Sequence, residues 1–169
     1  MKRKTVFFVI STLYFLSIWL PVGFASSKNV KWYSYDEGIT TGKIAKKKIF
    51  LNFYADWCGY CKKMDNETFR DPSVVVYLND NFVSIRVDAD QEQTLASKYS
   101  VRGLPVCWFI AEDGEKIGNL PGYIPSRMLI EILRYIHTDR YQRMTFEEFL
   151  KDGKWQFLKN EYLWQYLYV

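Results

Sequence analysis

Residues 49–63 read IFLNFYADWCGYCKK, an apolar run followed by two cysteines three positions apart. The apolar run lacks the polar alternation of a strand with one solvated face, so it predicts a strand over about residues 48–54 that is covered on both faces. The residues after it predict a short turn and then a helix that continues to about Phe69. Cys58 would lie at the N-terminus of that helix, with Cys61 one turn later and within reach to close a disulfide.

A cysteine at a helix N-terminus is chemically activated. Unpaired backbone N–H groups and the positive end of the helix macrodipole stabilise a thiolate there. The thiolate is the species that attacks disulfides, and the pKa of thiols in such positions falls from about 8.5 to roughly 3.5–7.5. We therefore interpret Cys58 and Cys61 as a redox dithiol.

The residues alone leave three alternatives to a redox dithiol open. A structural zinc site needs four ligands, and beyond the pair the chain offers only Cys107 and His137, at no recognisable ligand spacing. A permanent structural disulfide would close a loop too short to restrain much of the unfolded chain. A degenerate, inactive dithiol is the third alternative. Redox exchange is favoured over all three.

The first 25 residues read as an export signal. Met1–Lys4 is basic, Val6–Val22 is mainly apolar, and the segment ends on small residues, which predicts a secretory signal peptide cleaved after Ala25. An uncleaved membrane anchor is the alternative, because the apolar run approaches the roughly 17-residue lower limit for a membrane span. Cleavage predicts a periplasmic or secreted protein, in a compartment where disulfides persist.

Composition and charge indicate one domain without a nucleic-acid surface. The chain has 169 residues, of which 49% are hydrophobic and 18% aromatic, enough for one packed domain. Of 23 lysines and arginines, three lie at positions 2–4, so the chain after Ala25 has 20 basic residues against 19 acidic ones, about +1. No basic patch remains to argue for nucleic acid.

Turn and capping signals divide the rest of the chain into alternating elements. Asp71 followed by Pro72 is typical of a helix start. Pro105 precedes an apolar run and belongs at the first residue of a strand, because it cannot donate to the ladder. Asp113–Gly114 predicts a hairpin. The predicted order is β-α-β-α-β-α-β-β-α with a short extra helix after Pro72, an α/β fold with a central mixed sheet.

These motifs, in this order, resemble the thioredoxin-like superfamily over about residues 30–137. The chain most resembles exported members such as the C-terminal domain of DsbD-type thiol:disulfide interchange proteins. This resemblance implies a thioredoxin fold for residues 26–137 and protein-disulfide reductase activity with neither a cofactor nor a metal. The motifs that carry it are Trp57-Cys58-Gly59-Tyr60-Cys61-Lys62, Val101-Arg102-Gly103-Leu104-Pro105, Gly122, Phe53-Tyr54-Ala55-Asp56, Glu67-Thr68-Phe69 and Asp71-Pro72-Ser73-Val74.

The resemblance also implies roles for individual residues. Cys58 would attack a client disulfide and Cys61 would resolve the mixed disulfide. Pro105 would be a cis-proline beside the dithiol, and its neighbour would offer backbone groups to an extended client strand. The implied partners are disulfide-bearing exported proteins and an upstream thiol electron donor, a membrane-embedded one among the options, in cell redox homeostasis. Residues implied in client binding or support are Trp57, Gly59, Tyr60, Leu104 and Pro105.

Two features depart from the family pattern. The family's buried Asp, thought to take the resolving thiol's proton, is Asn52 here, which cannot accept a proton, and the lysine that pairs with that Asp is Ser84. Asp56 and Glu67 are nearby carboxylates, for which surface solvation is the simpler interpretation. The Gly59–Tyr60 pair resembles that of periplasmic disulfide isomerases. Since potentials in the superfamily run from about −270 to about −120 mV, oxidase and isomerase remain alternatives to reductase.

Four further features have plain structural interpretations. We expect Cys107 to be a buried, inert thiol, and His137 to interact favourably with a helix C-terminus. Lys46–Lys48 is interpreted as a solvated helix end. Trp57 is interpreted either as packing beside the dithiol and shielding it or as an ordinary core aromatic.

Residues 138–169 lie beyond the usual end of the family and predict an aromatic, helical C-terminal extension. Thr145 and Glu148 fit a capping box that begins a short helix to about Lys151. Residues 155–168 predict a second helix rich in aromatic side chains. We expect the extension to pack back onto the domain, since so much aromatic surface should not remain in water. The alternative is that it binds a partner or the membrane surface, which would make the protein a binding module.

Overall fold

The computed structural model describes residues 28–152 of the chain. The predicted signal peptide and the predicted helix over 155–168 lie outside this range. Five strands form one mixed sheet: β1 Trp32–Tyr33, β2 Lys48–Tyr54, β3 Phe82–Asp88, β4 Val106–Ile110 and β5 Lys116–Pro121. Their order across the sheet is β1-β3-β2-β4-β5.

Helices flank the sheet on both sides. They are α1 Tyr35–Ala45, α2 Gly59–Lys63, α3 Pro72–Asn81, α4 Gln93–Lys98, α5 Ser126–His137 and α6 Phe146–Lys151, with a 3₁₀ turn at Arg140–Gln142. Helix α2 continues directly into a π-helical turn, Met64–Thr68. The predicted fold class and element order are confirmed. Within residues 28–152, none of these helices is long and apolar enough to cross a bilayer.

Strand β2 is the centre of the sheet. It runs parallel to β3 along its whole length, with Asn52 opposite Arg86, and antiparallel to β4, with Phe53 opposite Val106. All of its residues except the last are buried, as the unbroken apolar run predicted. Because β2 and β4 are antiparallel, the end of β2 and the start of β4 lie at the same end of the sheet.

The two sheet faces carry separate cores. Alternate residues of a strand point to opposite faces, so neighbouring residues of β2 supply both cores. Helices α3 and α5 cover one face, whose buried residues include Phe50, Val74, Leu78, Cys107, Phe109, Leu129, Leu133 and Ile136. Helices α1 and α4 cover the other, around Ile49, Leu51, Phe53, Val83, Ile85, Val87, Leu95 and Ile110.

Two predicted helix starts have the expected caps. Asp71 Oδ1 accepts the backbone N–H of Ser73 at 2.9 Å, with Pro72 at the first helical position. At α6, the Thr145 hydroxyl accepts the N–H of Glu148 at 3.2 Å, and the Glu148 carboxylate accepts the N–H of Thr145 at 2.8 Å. The side chains therefore satisfy N–H groups that the helices themselves leave unpaired.

The described part of the C-terminal extension packs against α5. The Tyr135 hydroxyl donates to the carbonyl oxygen of Met144 at 2.6 Å. The Tyr135 ring centroid lies 5.3 Å from that of Phe146 and 5.4 Å from that of Phe149. Through residue 152, the expected packing of the extension onto the domain is therefore observed.

The interpretation of Lys46–Lys48 as a solvated helix end is wrong for Lys48. This residue begins β2 and is only 3% exposed. Its Nζ donates to Glu112 Oε1 at 2.7 Å and lies 3.0 Å from Asp139 Oδ1. Lys48 thus belongs to the predicted strand rather than to the helix end, and the two carboxylates make burial of the ammonium tolerable.

Two element ends have visible physical reasons. Helix α3 extends to Asn81, whose Nδ2 donates to the Tyr77 carbonyl at 3.0 Å. Strand β5 continues through Pro121, because an edge strand tolerates a residue without a ladder donor.

Candidate redox site

Cys58 and Cys61 form a disulfide at the start of α2, with their Cα atoms 5.2 Å apart. Cys58 has extended backbone angles and is the N-cap residue of the helix. Its Sγ accepts the backbone N–H of Cys61 at 3.1 Å. The strand-to-helix turn is closed by the Cys58 N–H, which donates to the Ala55 carbonyl at 3.1 Å. The sulfur atom of Cys58 therefore occupies the place of a capping oxygen, at the positive end of the helix.

Two exposed aromatic side chains flank this buried disulfide. Cys58 is 4% exposed and Cys61 3%, whereas Trp57 is 70% exposed and Tyr60 64%. The Trp57 indole N–H donates to Asp90 Oδ2 at 2.7 Å, in the loop after β3. The alternative that Trp57 is an ordinary core aromatic is therefore wrong, because its ring lies largely in solvent.

The loop before β4 lies at the same end of the sheet as the dithiol. The peptide bond between Leu104 and Pro105 is cis. Pro105 is buried and Leu104 half-buried, and the Pro105 carbonyl accepts the N–H of Gly122 at 2.7 Å. Since Val106 is in register with Phe53, this loop lies beside the end of β2, which leads to Cys58. The residues that the sequence assigned to the site thus come together at one end of the sheet.

Asn52 and Cys107 form a buried neutral pair on the sheet face below α2. Asn52 Nδ2 donates to Cys107 Sγ at 3.5 Å, and the Cys107 side chain is wholly buried. Burial raises the pKa of the Cys107 thiol to about 12, although the Asn52 amide acts in the opposite direction. The expected burial of the free Cys107 thiol is confirmed, and its inertness stays a prediction.

An ion pair near the dithiol was not predicted from the sequence. Arg86 Nη2 donates to Asp65 Oδ2 at 2.7 Å, and the guanidinium stacks over the Tyr54 ring, 4.0 Å from its centroid. Arg86 lies directly opposite Asn52 in the sheet. The spacing of Asp65, four residues after Cys61 on one helix, was the signal available for finding it.

The carboxylates that the sequence did single out face solvent. Asp56 is exposed. Glu67 is also exposed, and it accepts a hydrogen bond from the Tyr123 hydroxyl at 2.6 Å. Ser84, at the position of the family's lysine, is buried, and its hydroxyl has no hydrogen-bond partner within residues 28–152.

His137 lies away from the dithiol, in the last turn of α5, the helix end at which we placed it. Its Nδ1 is 3.1 Å from the Tyr77 hydroxyl, and its ring packs against Phe82. Burial, and then the nearby Lys48 charge, lower the pKa of His137. The half-buried imidazole therefore pairs with Tyr77, and its surroundings disfavour the cationic form. Among residues 28–152, no cluster of three or more His, Cys, Asp or Glu side chains could hold a metal ion.

The structure has a five-stranded mixed sheet, a Cys-x-x-Cys disulfide whose first cysteine caps a helix, and a cis-proline loop at the same end of the sheet. These features together define a thioredoxin-like protein. The chain belongs to the thioredoxin-like domain family, whose pattern it matches over residues 35–137. It is thus a member of the thioredoxin-like oxidoreductases with a Cys58–Cys61 disulfide.

Individual relatives agree with this assignment. The chain is 32% identical over 121 residues to the thiol:disulfide interchange protein DsbD of Vibrio vulnificus, covering 68% of this chain and 20% of that protein. It is 33% identical over 88 residues to the thioredoxin of Mycoplasmoides gallisepticum, covering 52% of this chain and 83% of that protein. The solved thioredoxin of Thermus thermophilus superposes with a TM-score of 0.59 at 29% identity, covering 64% of this chain and 87% of that one. The chain spans about a fifth of the length of the DsbD proteins that it matches.

Proposed function

We propose that the protein is an exported thiol:disulfide oxidoreductase that reduces protein disulfides through Cys58 and Cys61. The observation that carries this proposal is the position of the Cys58 sulfur, which caps α2 and accepts the Cys61 N–H at 3.1 Å. In the reduced protein, the same N–H and the same helix end favour a thiolate at Cys58. A thiolate in this position is the nucleophile that disulfide exchange requires.

The proposed reaction has two exchange steps. The Cys58 thiolate attacks one sulfur of a client disulfide, which forms a mixed disulfide and releases the other client sulfur as a thiolate. The Cys61 sulfur, after losing its proton, attacks the Cys58 sulfur and releases the second client thiolate. The client gains two electrons and two protons, and the protein ends with the Cys58–Cys61 bond seen in the structure.

Client recognition is proposed to use the surface around the disulfide. The exposed Trp57 and Tyr60 rings offer apolar area on either side of Cys58. The backbone of Leu104, before the cis peptide, offers hydrogen bonds to an extended client segment. Gly59 is exposed, and an added Cβ there meets nothing within 4 Å, which leaves an open approach to the sulfur atoms.

The reductive direction and the exported location rest on two supports. The first 25 residues have the pattern of a secretory signal peptide, and the chain matches part of proteins named for thiol:disulfide interchange. Disulfide-bearing exported proteins are then the clients, and an upstream thiol donor, a membrane-embedded one among the options, re-reduces the protein. Equilibration of residues 26–169 with glutathione tests the direction. We expect a potential near the reducing end of the range from about −270 to about −120 mV, and a value near the upper end would instead make the protein an oxidase.

Reduction of insulin by dithiothreitol tests the activity itself. We expect residues 26–169 to accelerate insulin reduction and Cys58→Ser to abolish the acceleration. Reduced Cys61→Ser, mixed with insulin after dithiothreitol has been removed, should accumulate a mixed disulfide, visible as a mass increase on a non-reducing gel. Cys107→Ala is the matched control, since Cys107 is a thiol outside the dithiol and should be dispensable. Turnover that survives Cys58→Ser, or no turnover by the unaltered protein, contradicts the proposal and leaves a binding module as the better description.

A further inference from the structure

The two ends of the sheet carry different features. Strand β2 ends beside the dithiol and begins with Lys48 at the opposite end, about 20 Å away for a strand of seven residues. We call this opposite end the basal end. It comprises the start of β1, the ends of α1 and α3, the start of β2, the β4–β5 hairpin and the end of α5, which are residues 28–31, 43–48, 79–82, 110–116 and 137–140.

The residues that the structure describes begin and end at the basal end. Before β1, the Asn29 carbonyl accepts a hydrogen bond from Asn79 Nδ2, at the end of α3, at 3.0 Å. Asp152 Oδ2 lies 3.9 Å from Arg140 Nη1, and the preceding residue, Asp139, is bound to the first residue of β2. The chain before residue 28 and the chain after residue 152 are therefore attached to the fold at this end.

The sequence attached after Asp152 has the side chains of an interfacial segment. Tryptophan and tyrosine are enriched at membrane–water interfaces, because their rings have an apolar body and a polar group. The segment has only three charged residues, two of them lysines. Six of its 17 residues are aromatic, namely Trp155, Phe157, Tyr162, Trp164, Tyr166 and Tyr168.

The basal surface itself carries an exposed aliphatic side chain among lysines. Ile44, in the last turn of α1, is 80% exposed, more than any other large apolar side chain of residues 28–152. Lys43 and Lys46, on either side of it in sequence, are exposed. An apolar side chain between ammonium groups matches a lipid surface, where acyl chains lie just below anionic headgroups.

Three acidic groups at the basal end are paired with cations of the fold itself. Glu112 and Asp139 both bind the Lys48 ammonium, and Asp152 pairs with Arg140. The exposed lysines at the end of α1 are not drawn into these pairs. Their positive charge is therefore available to an anionic surface.

We propose that the basal end lies on an anionic phospholipid surface. Ile44 and the aromatic residues after Asp152 enter the headgroup region, and the exposed lysines of α1 face the anionic headgroups. The dithiol, at the other end of β2, then points away from the bilayer and toward clients in the aqueous compartment. This inference goes beyond the proposed redox function and does not depend on it.

Flotation of residues 26–169 with lipid vesicles tests the contact. We expect the protein to float with phosphatidylcholine vesicles that contain about 30% phosphatidylglycerol, and to bind pure phosphatidylcholine at least about fivefold more weakly. Raising the salt concentration from about 0.05 to about 0.5 M should lower the bound fraction, because salt screens the headgroup charge. A protein that stays in solution with both vesicles overturns the proposal, and if it elutes as a dimer, the basal end is a contact between copies instead.

Two variants test which residues make the contact. Lys43→Glu combined with Lys46→Glu should weaken binding to the anionic vesicles at least about tenfold, because it replaces two attractive charges with two repulsive ones. Ile44→Gln should weaken it about threefold through loss of apolar contact. Circular dichroism checks the fold of each variant, and Ile44→Gln carries the test should the lysine pair not fold. Unchanged binding in the folded variants overturns the assignment to the basal end.

The matched control places the same charge change at the dithiol end. Lys62 and Arg102 are exposed there, and Lys62→Glu combined with Arg102→Glu should change vesicle binding less than about twofold, since the basal surface lies beyond the screening length of about 10 Å at 0.1 M salt. Equal weakening by the two pairs of substitutions would contradict the proposed orientation.

A charged maleimide that does not cross bilayers reports the orientation directly. We expect it to modify Cys58 of the reduced protein on anionic vesicles within about twofold of its rate in solution, because the dithiol faces away from the lipid. Strong protection of Cys58 by the vesicles would show that the dithiol end contacts the bilayer, and it overturns the inference.

Discussion

The three cysteines of the chain differ in what surrounds their sulfur atoms. Cys58 and Cys61 lie at a helix N-terminus, next to exposed aromatic rings. Cys107 lies in the middle of the sheet, wholly buried, with only the Asn52 amide donating to its sulfur. Because burial raises the pKa of the Cys107 thiol to about 12, this sulfur stays protonated at neutral pH and is a poor nucleophile.

Alkylation after reduction tests this difference. We expect iodoacetamide at about pH 8 to modify Cys58 of the reduced, folded protein quickly and Cys107 only after unfolding in guanidinium, because the wholly buried Cys107 is out of reach of the reagent and its thiol is kept neutral. Mass spectrometry of the intact protein counts the modified sites, and Cys107→Ala serves as the reference with two. Rapid triple modification of the folded protein would show that Cys107 is accessible.

The environment of Lys48 predicts a pH-dependent contribution of this residue to the stability of the fold. Burial alone would lower the pKa of Lys48, but the hydrogen bonds that its ammonium donates to Glu112 and Asp139 outweigh burial and leave the pKa raised above 10.5. Because the pKa of Lys48 is higher in the folded protein than in the unfolded chain, charged Lys48 stabilises the folded protein fully at pH values below the unfolded-state pKa. This stabilisation is lost as pH rises through the folded-state pKa.

Lys48→Met should therefore lower the free energy of unfolding by about 1–3 kcal/mol at neutral pH, less than for a fully buried pair, because both carboxylates are partly exposed. The difference from the unaltered protein should shrink as pH rises from about 10.5, where the unfolded chain loses the Lys48 charge, through the higher pKa of Lys48 in the folded protein. Urea unfolding at neutral pH and above about pH 10.5 measures this difference in the free energy of unfolding. Lys47→Met is the control, since Lys47 is half-buried and its Nζ donates to the Asp80 carbonyl rather than to a carboxylate. An equal loss in both variants would contradict a special role for Lys48.

At the scale of elements, the contact of α1 with β3 depends on a glycine. A Cβ added to Gly38 would lie 2.2 Å from Ile85 Cγ1, closer than any real contact. Alanine at an ordinary helix position would gain about 1 kcal/mol over glycine. Here we expect Gly38→Ala to destabilise the protein by about 1–3 kcal/mol, because the helix must move off the sheet. Gly118→Ala, where an added Cβ meets nothing within 4 Å, is the control. Urea denaturation compares them, and a stabilised Gly38→Ala protein would contradict the close approach.

How far the sequence predicts the elements depends on whether the signals are local. The Asp71 and Thr145 caps, the central strand β2 and the dithiol junction all follow from residues within a few positions of one another, and the structure contains them. The burial of Lys48 against Glu112 and Asp139 and the pairing of His137 with Tyr77 depend on partners from distant elements. The Arg86–Asp65 pair joins residues 21 positions apart. Its carboxylate has the helical spacing to Cys61, but its guanidinium partner depends on the register of β3 with β2, which local patterns do not specify.

At the scale of the whole molecule, the C-terminal extension through residue 152 shares a core with the domain. Tyr135 of α5 connects the two through its hydrogen bond to Met144 and its ring contacts with Phe146 and Phe149. Phe149 is buried, whereas Phe146 is only partly so. A shared aromatic cluster predicts that α6 and the sheet unfold together rather than as separate units.

Phe149→Ala tests this coupling. Loss of a buried phenylalanine from a core costs about 3–5 kcal/mol, and we expect the lower part of that range here because α6 lies at the edge of the fold. Far-ultraviolet circular dichroism and tryptophan fluorescence should report one common unfolding midpoint, lowered in Phe149→Ala and lowered less in Phe146→Ala. If Phe149→Ala loses only a little helical signal while the fluorescence midpoint stays in place, α6 unfolds on its own and the extension adds no stability to the domain. A common shift of both signals instead makes α6 part of the core that holds α5 against the sheet, on the face where the dithiol helix also packs.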